Sequence, residues 1–335
     1  MVRIGINPSK LVKNINFNEP VITVCIINHI PVTEGYWKES LNVLKVCLDS
    51  LISNTKLPIN IFVFDNASCK QAKDYLLDLS KKGQINFLLL SSKNIGKCAA
   101  WNYLFGSIQS EFTVYSDSDV YFYPGWEKAH LDIFSNFDSV GMVTGLPVRE
   151  KVSISTTSTF RQIESDKDVN TVKGKLIPYH YLKEFRNSLG DDVEIYWSEE
   201  YIGIDDVIIE KGTHRAYVGA SHFQFMIPTK VARSLIPFPT NKLVAGNEGL
   251  LEESVDRMGL MRLSTVKRVV HHIGNSLEND EWYNDLARGK KILSKNQGGG
   301  HFQRSHSRSY FKTLLIRIVR KILLYIYSFT SRKLS

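Results

Sequence analysis

Between Val21 and Asp119 the chain alternates short β-branched runs with stretches of helical spacing, and that alternation leaves few folds open. Val21–Ile27 (VITVCII) reads as a buried strand, because its apolar residues run without polar interruption. Leu41, Leu44, Leu48, Leu51 and Ile52 then share one face of a helix over 38–54. Ile59–Phe64 is a second strand, and Ala72, Tyr75, Leu76 and Leu79 mark a second helix. Ile85–Leu90 is a third strand; Asn94-Ile95-Gly96 opens a third helix; Phe112–Tyr115 is a fourth strand. Repeated βα units of this kind predict an α/β fold, with a doubly wound, Rossmann-like, mostly parallel sheet covered on both faces. In such sheets ligands bind beyond the carboxyl ends of the strands. Asn28, Asp65, Asn94 and Asp117 fall at those ends.

After about residue 145 the pattern weakens, and 161–215 carries no clear periodicity. A strand and short helix return over Gly219–Pro239, a helix over Glu248–Met258 capped by Gly259, and a strand over Arg268–Ile273. No repeat is visible.

Charge and cysteine content narrow the class. The chain carries 42 Lys and Arg against 34 Asp and Glu, a net charge of +8. Arg304, Arg308, Lys312, Arg317, Arg320, Lys321, Arg332 and Lys333 supply all of the surplus, so the body is neutral. A basic tail on a neutral body points to an anionic surface rather than to a nucleic-acid groove. The four cysteines show no C-x-x-C pair, which argues against a disulfide or zinc scaffold and for a reducing compartment. The N-terminus shows no apolar signal-peptide core.

Asp117-Ser118-Asp119 stands directly after a strand. Two carboxylates two residues apart there can converge on Mg²⁺ or Mn²⁺, which take oxygen ligands and share them with substrate phosphates. The same residues also suit an ordinary turn. The surrounding sequence favours the first reading. VYSDSDVYFYPGW resembles the D-x-D region of family-2 glycosyltransferases with the GT-A fold. VITVCIINH resembles that family's first strand, SLISNT its following helix end, FVFDNAS its V-V-D-N-G-S element and NIGKCAAWN its N-x-G-x-x-x-A-x-N element. These pieces occur in the expected order over roughly 20–130, with weaker matches at 219–239, at a Glu-bearing helix and at HHIGN.

The resemblance implies a metal-dependent, inverting transfer of a sugar from a nucleoside-diphosphate sugar to a hydroxyl of a glycan or lipid-linked acceptor. It implies that Asp65 accepts from a base N–H, and that Asn94, Gly96 and Lys97 hold the diphosphate at a helix start. It implies that Asp117 meets the ribose or the metal, that Asp119 and His272 hold the metal, and that the metal is Mn²⁺ or Mg²⁺. Glu248 and Glu252, four apart on one helical face, are the candidate bases, with Asp205-Asp206 as an alternative. Trp126, Trp197, His222, Phe223 and Phe225 are candidates to line an acceptor pocket. The domain reading is an N-terminal extension over 1–19, a nucleotide-sugar-binding half over 20–130, an acceptor-binding half over 131–285 and a basic amphipathic tail over 286–335.

Within that tail, Tyr310–Phe329 places Phe311, Leu314, Leu315, Ile318, Ile322 and Phe329 on one helical stripe, with Arg317, Arg320 and Lys321 opposite. Such a helix lies in an anionic membrane interface rather than spanning it. The expected place is therefore cytoplasmic, peripheral on the inner face of the membrane. The competing class is a non-catalytic membrane-surface or nucleic-acid-binding protein on the same scaffold. No zinc, RNA-recognition or helix-turn-helix signature supports nucleic acid as a partner.

Overall fold

Four parallel strands form the first half of the sheet: β1 (Ile22–Asn28), β2 (Ile59–Asn66), β3 (Phe87–Ser91) and β4 (Phe112–Asp117), in the order β3-β2-β1-β4. The computed structural model describes residues 19–149, 156–190, 204–240, 248–277 and 283. Residues 284–335, and with them the helix expected at 310–329, lie outside the described residues.

The returning helices are α1 (Ser40–Asn54), α2 (Lys70–Lys81) and α3 (Lys97–Ser107). Strand alternation sorts their contacts. Val24, Ile26 and Val63 face Leu44, Leu48 and Leu51 of α1 and Leu76 of α2. Cys25, Phe64 and Tyr115 face Trp101, Leu104 and Phe105 of α3. Each buried side chain of this size contributes about 1.5–3 kcal/mol. Cys25 and Cys47 are buried and Cys69 and Cys98 half-buried, all four as free thiols.

The second half continues with β5 (Val120–Phe122), α4 (Trp126–Asn136), β6 (Val140–Thr144), α5 (Thr157–Ser165), β7 (Val169–Gly174), α6 (Tyr179–Ser188), β8 (Asp206–Lys211), β9 (His214–Val218) and β10 (Gln224–Pro228). It closes with α7 (Thr229–Leu235), α8 (Gly249–Arg257), β11 (Met261–Thr265) and β12 (Val270–His272). Ten strands form one sheet in the order β3-β2-β1-β4-β10-β6-β11-β9-β8-β7. The α/β architecture with a covered, partly parallel sheet expected from the motifs is therefore present, parallel over β3-β2-β1-β4 and again between β6 and β11. The stretch 161–215, which carries no periodicity, holds α5, α6 and the antiparallel β7-β8-β9 meander. β7 is an edge strand with four consecutive exposed residues, so it has no buried face to pattern.

β10 runs antiparallel between β4 and β6 and carries the Gln224 side chain into the interior. Gln224 Oε1 accepts from the Gly145 N–H at 2.8 Å, and its amide nitrogen faces His130 Nε2 at 3.2 Å. His130 Nδ1 lies 2.7 Å from the Trp126 carbonyl oxygen. With Nδ1–H donating and Nε2 accepting, the imidazole is neutral. Gly145 carries no side chain for a spatial reason: a Cβ there would lie 2.8 Å from His130 Cε1.

Burial depresses the His130 pKa from 6.5 to about 4. Its contribution is therefore intact above pH 6.5 and is lost as pH falls from there towards 4. The full loss amounts to about 3 kcal/mol. Chemical denaturation at pH 7.5 and 4.5 is expected to show this loss in the wild type and a smaller one in His130→Gln. Equal losses would place the acid sensitivity elsewhere.

Candidate active site

The carboxyl edge of β1, β2 and β3 carries a closed polar network. His29 Nδ1 lies 2.7 Å from the Asn66 carbonyl oxygen, and Asn94 Nδ2 lies 3.2 Å from His29 Nε2. Asn66 Nδ2 donates to Asn94 Oδ1 at 2.9 Å, and Asn66 Oδ1 accepts from the Ile95 N–H at 2.9 Å. Asn94 Oδ1 also accepts from the Gly96 N–H at 2.9 Å. Asp65 is fully buried behind this network; it accepts from Asn28 Nδ2 at 3.1 Å and from the Ser68 N–H at 3.1 Å. Both of its oxygens are thus engaged, one by Asn28 at the end of β1 and the other within the turn that starts α2. Ala67 in that turn has φ 64°, and it stands where the resembled element has glycine.

Gly96 caps α3 at φ 82° and ψ 163°, a conformation open essentially to glycine alone. That turn aims the first turn of α3 at the end of β4. Lys97 Nζ lies 2.7 Å from Asp117 Oδ1 and 2.9 Å from Oδ2. The ammonium also sits 5.3 Å from the Tyr115 ring centroid and 5.6 Å from that of Trp101. The Tyr115 hydroxyl donates to Asp117 Oδ1. Asp117 is therefore charge-matched from within the protein.

Asp119 belongs to a different arrangement. β5 pairs antiparallel with β12, placing Val120 opposite His272. His272 Nε2 consequently lies 3.6 Å from Asp119 Oδ2. Asp119 Oδ1 is buried and has no hydrogen-bond partner. Burial raises the Asp119 pKa above the usual carboxylate range, against the lowering pull of His272. Ser188, the last residue of α6, spends its hydroxyl proton on the Phe185 carbonyl at 2.7 Å. Its Oγ, 2.7 Å from His272 Nδ1, is then the acceptor of that N–H. This assigns the Nε2 lone pair to the side facing Asp119. Gly274, at φ 81°, makes the approach possible: a Cβ there would lie 2.5 Å from the Ser188 carbonyl oxygen. His271 points the other way, towards Glu184 and Arg268, and is buried with its pKa well below the usual value.

The residues expected on the acceptor side lie just before β10 and on or at the start of α8. The Asp117 N–H donates to the Phe223 carbonyl at 2.8 Å, so 222–223 lie beside the acidic pair. The Phe223 ring packs edge-on to His272 at 5.3 Å. Glu252 accepts from the His222 N–H at 3.1 Å, and its Oε1 lies 2.9 Å from His222 Nδ1. The fully buried Arg262 lies 3.6 Å from Glu252 Oε2. Glu248 caps α8 and acts electrostatically on Cys98 in the first turn of α3, raising that thiol's pKa after the larger effect of burial.

Of the residues singled out from sequence, Asp119 and His272 come together, Lys97 and Asp117 come together, and Asp65 is enclosed by its own turn. Asp117 does not join Asp119 and His272, because Lys97 holds it. Among the described residues no three His, Cys, Asp or Glu side chains converge on one point. Trp126 and Phe225 are fully buried core, not pocket wall, and Trp197 lies outside the described residues. Asp206 is clasped by Arg149 at 2.6 Å and by the N–H groups of Leu176 and Ile177, which makes it a structural anchor. Ser188 was not legible as a site residue: it lies in the unpatterned stretch, 84 residues from His272.

Residues 36–180 match glycosyl transferase family 2. The stretch that resembles family-2 glycosyltransferases in its motifs is thus largely the stretch that this family model matches, and the match spans Asp65, Asn94, Gly96, Lys97, Asp117 and Asp119. No curated protein matches the chain. Among solved structures, S. aureus TarS 1-349 is similar at 13% identity and TM-score 0.44, over 76% of this chain and 60% of that one. Mannosyltransferase PcManGT from Pyrobaculum calidifontis, in complex with GDP-Man and Mn²⁺, is similar at 13% identity and TM-score 0.41, over 77% and 59%. GalNAc-T7 with UDP, GalNAc and Mn²⁺ is similar at 14% identity and TM-score 0.48, over 78% and 45%. The chain thus spans about three-fifths of the TarS fragment.

Gly274→Ala tests the His272 support. It is expected to lower stability by about 2 kcal/mol, from the left-handed backbone and the collision with Ser188. Thermal melting checks it, and an unchanged midpoint would show that α6 can withdraw freely.

Proposed function

We propose that the chain transfers a sugar from a nucleoside-diphosphate sugar to a hydroxyl acceptor, with inversion, using Mn²⁺ or Mg²⁺. The observation that carries this reading is the meeting of Asp119 and His272, with an orphaned buried carboxylate oxygen on one and a lone pair fixed by Ser188 on the other. An oxygen and an imidazole donor suit a divalent ion whose remaining ligands are diphosphate oxygens and water. Asp119 and His272 would hold it, and when bound it supplies positive charge to the departing nucleoside diphosphate.

The chain's own residues do the rest. Lys97 stands 2.7 Å from Asp117, at the start of α3, where a diphosphate meets both a cation and helix N–H groups. Asn94, Gly96 and Asn66 hold that start in place. Glu248 and Glu252, at the start of α8, lie on the acceptor side, from which the attacking hydroxyl loses its proton.

Asp119→Asn is expected to abolish Mn²⁺-dependent turnover of a panel of UDP- and GDP-sugars and to weaken Mn²⁺ binding by calorimetry about tenfold or more. Full activity of this variant in the presence of a chelator would defeat the reading.

The acceptor is proposed to be a glycan or a lipid-linked molecule at the cytoplasmic membrane face, with the basic tail over 286–335 as the anchor. Among the described residues no helix is long and apolar enough to cross a membrane. Each of the flanking Lys and Arg residues would add about 1 kcal/mol of attraction to anionic lipid. Full-length protein is expected to sediment with anionic liposomes at low salt, and a version ending at Ser309 is not. Equal behaviour of the two would remove the anchor.

A further inference from the structure

We infer that the proton acceptor for the attacking hydroxyl is His222 Nε2, with Glu252 and Arg262 as the residues that position it. This rests on the transferase reading of the same site and names a group within it.

Three observations converge. First, Glu252 Oε1 lies 2.9 Å from His222 Nδ1 and accepts the His222 backbone N–H at 3.1 Å, so the ring is gripped at two points. A carboxylate facing Nδ1 fixes the proton there and leaves Nε2 as a lone pair. Among the described residues the His222 ring has no other hydrogen bond, and its side chain is 37% exposed, which leaves Nε2 for a ligand. Second, Glu252 is itself poorly suited to take the proton. Its Oε1 is taken up by the His222 N–H and ring, and its second oxygen faces the fully buried Arg262 guanidinium at 3.6 Å, so neither oxygen is presented to an incoming hydroxyl. The same carboxylate lies against His222 Nδ1, where it stabilises the imidazolium that forms when Nε2 takes the proton. Third, the chain position is right. The Asp117 N–H donates to Phe223 at 2.8 Å, and Phe223 packs on His272 at 5.3 Å. His222 is therefore the residue adjoining the one wedged between Asp117 and His272.

The step balances within these groups. The acceptor O–H proton passes to Nε2 as the oxygen bonds to the anomeric carbon. The bond from that carbon to the diphosphate oxygen breaks, and its electron pair leaves on the nucleoside diphosphate. The imidazolium, held against Glu252, then returns its proton to water. The groups facing the ring are Glu252 directly and Arg262 through it.

The experiment measures release of UDP or GDP from UDP-GlcNAc, GDP-Man and related nucleotide-sugars with Mn²⁺, with water as the acceptor, alongside calorimetric binding of the same nucleotides. His222→Gln is expected to lose about 10²-fold or more of turnover with nucleotide affinity kept within about twofold. Glu252→Gln is expected to lose about tenfold. His222→Gly is expected to recover turnover on addition of imidazole, a response that a purely structural histidine does not give. Turnover of His222→Gln within about threefold of wild type, or loss in Glu248→Gln alone, overturns the assignment. So does a His222→Gly variant that is folded by melting yet unresponsive to imidazole. If the wild type binds none of these nucleotides, the transferase reading fails first and this inference falls with it.

Discussion

Everything at the site depends on one antiparallel pairing, that of β10 against β4. Gln224 lies opposite Ser116, and the ladder extends one residue further as the Asp117 N–H meets the Phe223 carbonyl. The register leaves no slack, because a slip of one residue would turn Phe225 from the Trp101 cluster towards the opposite face. Through it, a segment more than a hundred residues downstream is laid against the D-x-D turn. β10 also buries Gln224, whose amide links His130 and Gly145, so the strand that positions the acceptor side is locked from beneath.

Charge is then divided into separate compartments. Asp117 is compensated by Lys97, with Tyr115 and Trp101 beneath the ammonium. Asp119 has a buried Oδ1 without a hydrogen-bond partner among the described residues, and its other oxygen lies 3.6 Å from His272 Nε2. Glu252 is compensated by Arg262 and His222. A buried carboxylate without a cation is costly. Of the three, Asp119 is the one with no lysine or arginine ion pair among the described residues, and the proposed Mn²⁺ or Mg²⁺ would supply that charge.

Much of the donor side was legible because its residues are local to their elements. Asn94-Ile95-Gly96-Lys97 reads as a helix start from sequence, and the structure adds only the partners, Asn66 and Asp117. The acceptor side was harder. Glu252 was visible as one of several acidic residues on a helix, but nothing local tells a solvated glutamate from one wedged between His222 and Arg262. Trp126 shows the reverse error: an aromatic after the acidic pair suggested a sugar platform, yet its ring is buried against Phe122 and His130. Aromatic identity carries no information about which side of a sheet is wet.

The sequence by itself determined the βα alternation, the parallel half of the sheet and the strand-end positions of Asp65, Asn94 and Asp117, because hydrophobic periodicity and turn chemistry act over a few residues. Only the tertiary structure decided that Asp119 meets His272 while Asp117 turns to Lys97, that Ser188 orients the imidazole, and that His222 is backed by Glu252. Those contacts join residues between 20 and 153 positions apart, and they exist only because sheet register and helix packing bring distant strand ends to one edge, where charge and lone-pair geometry select the pairs.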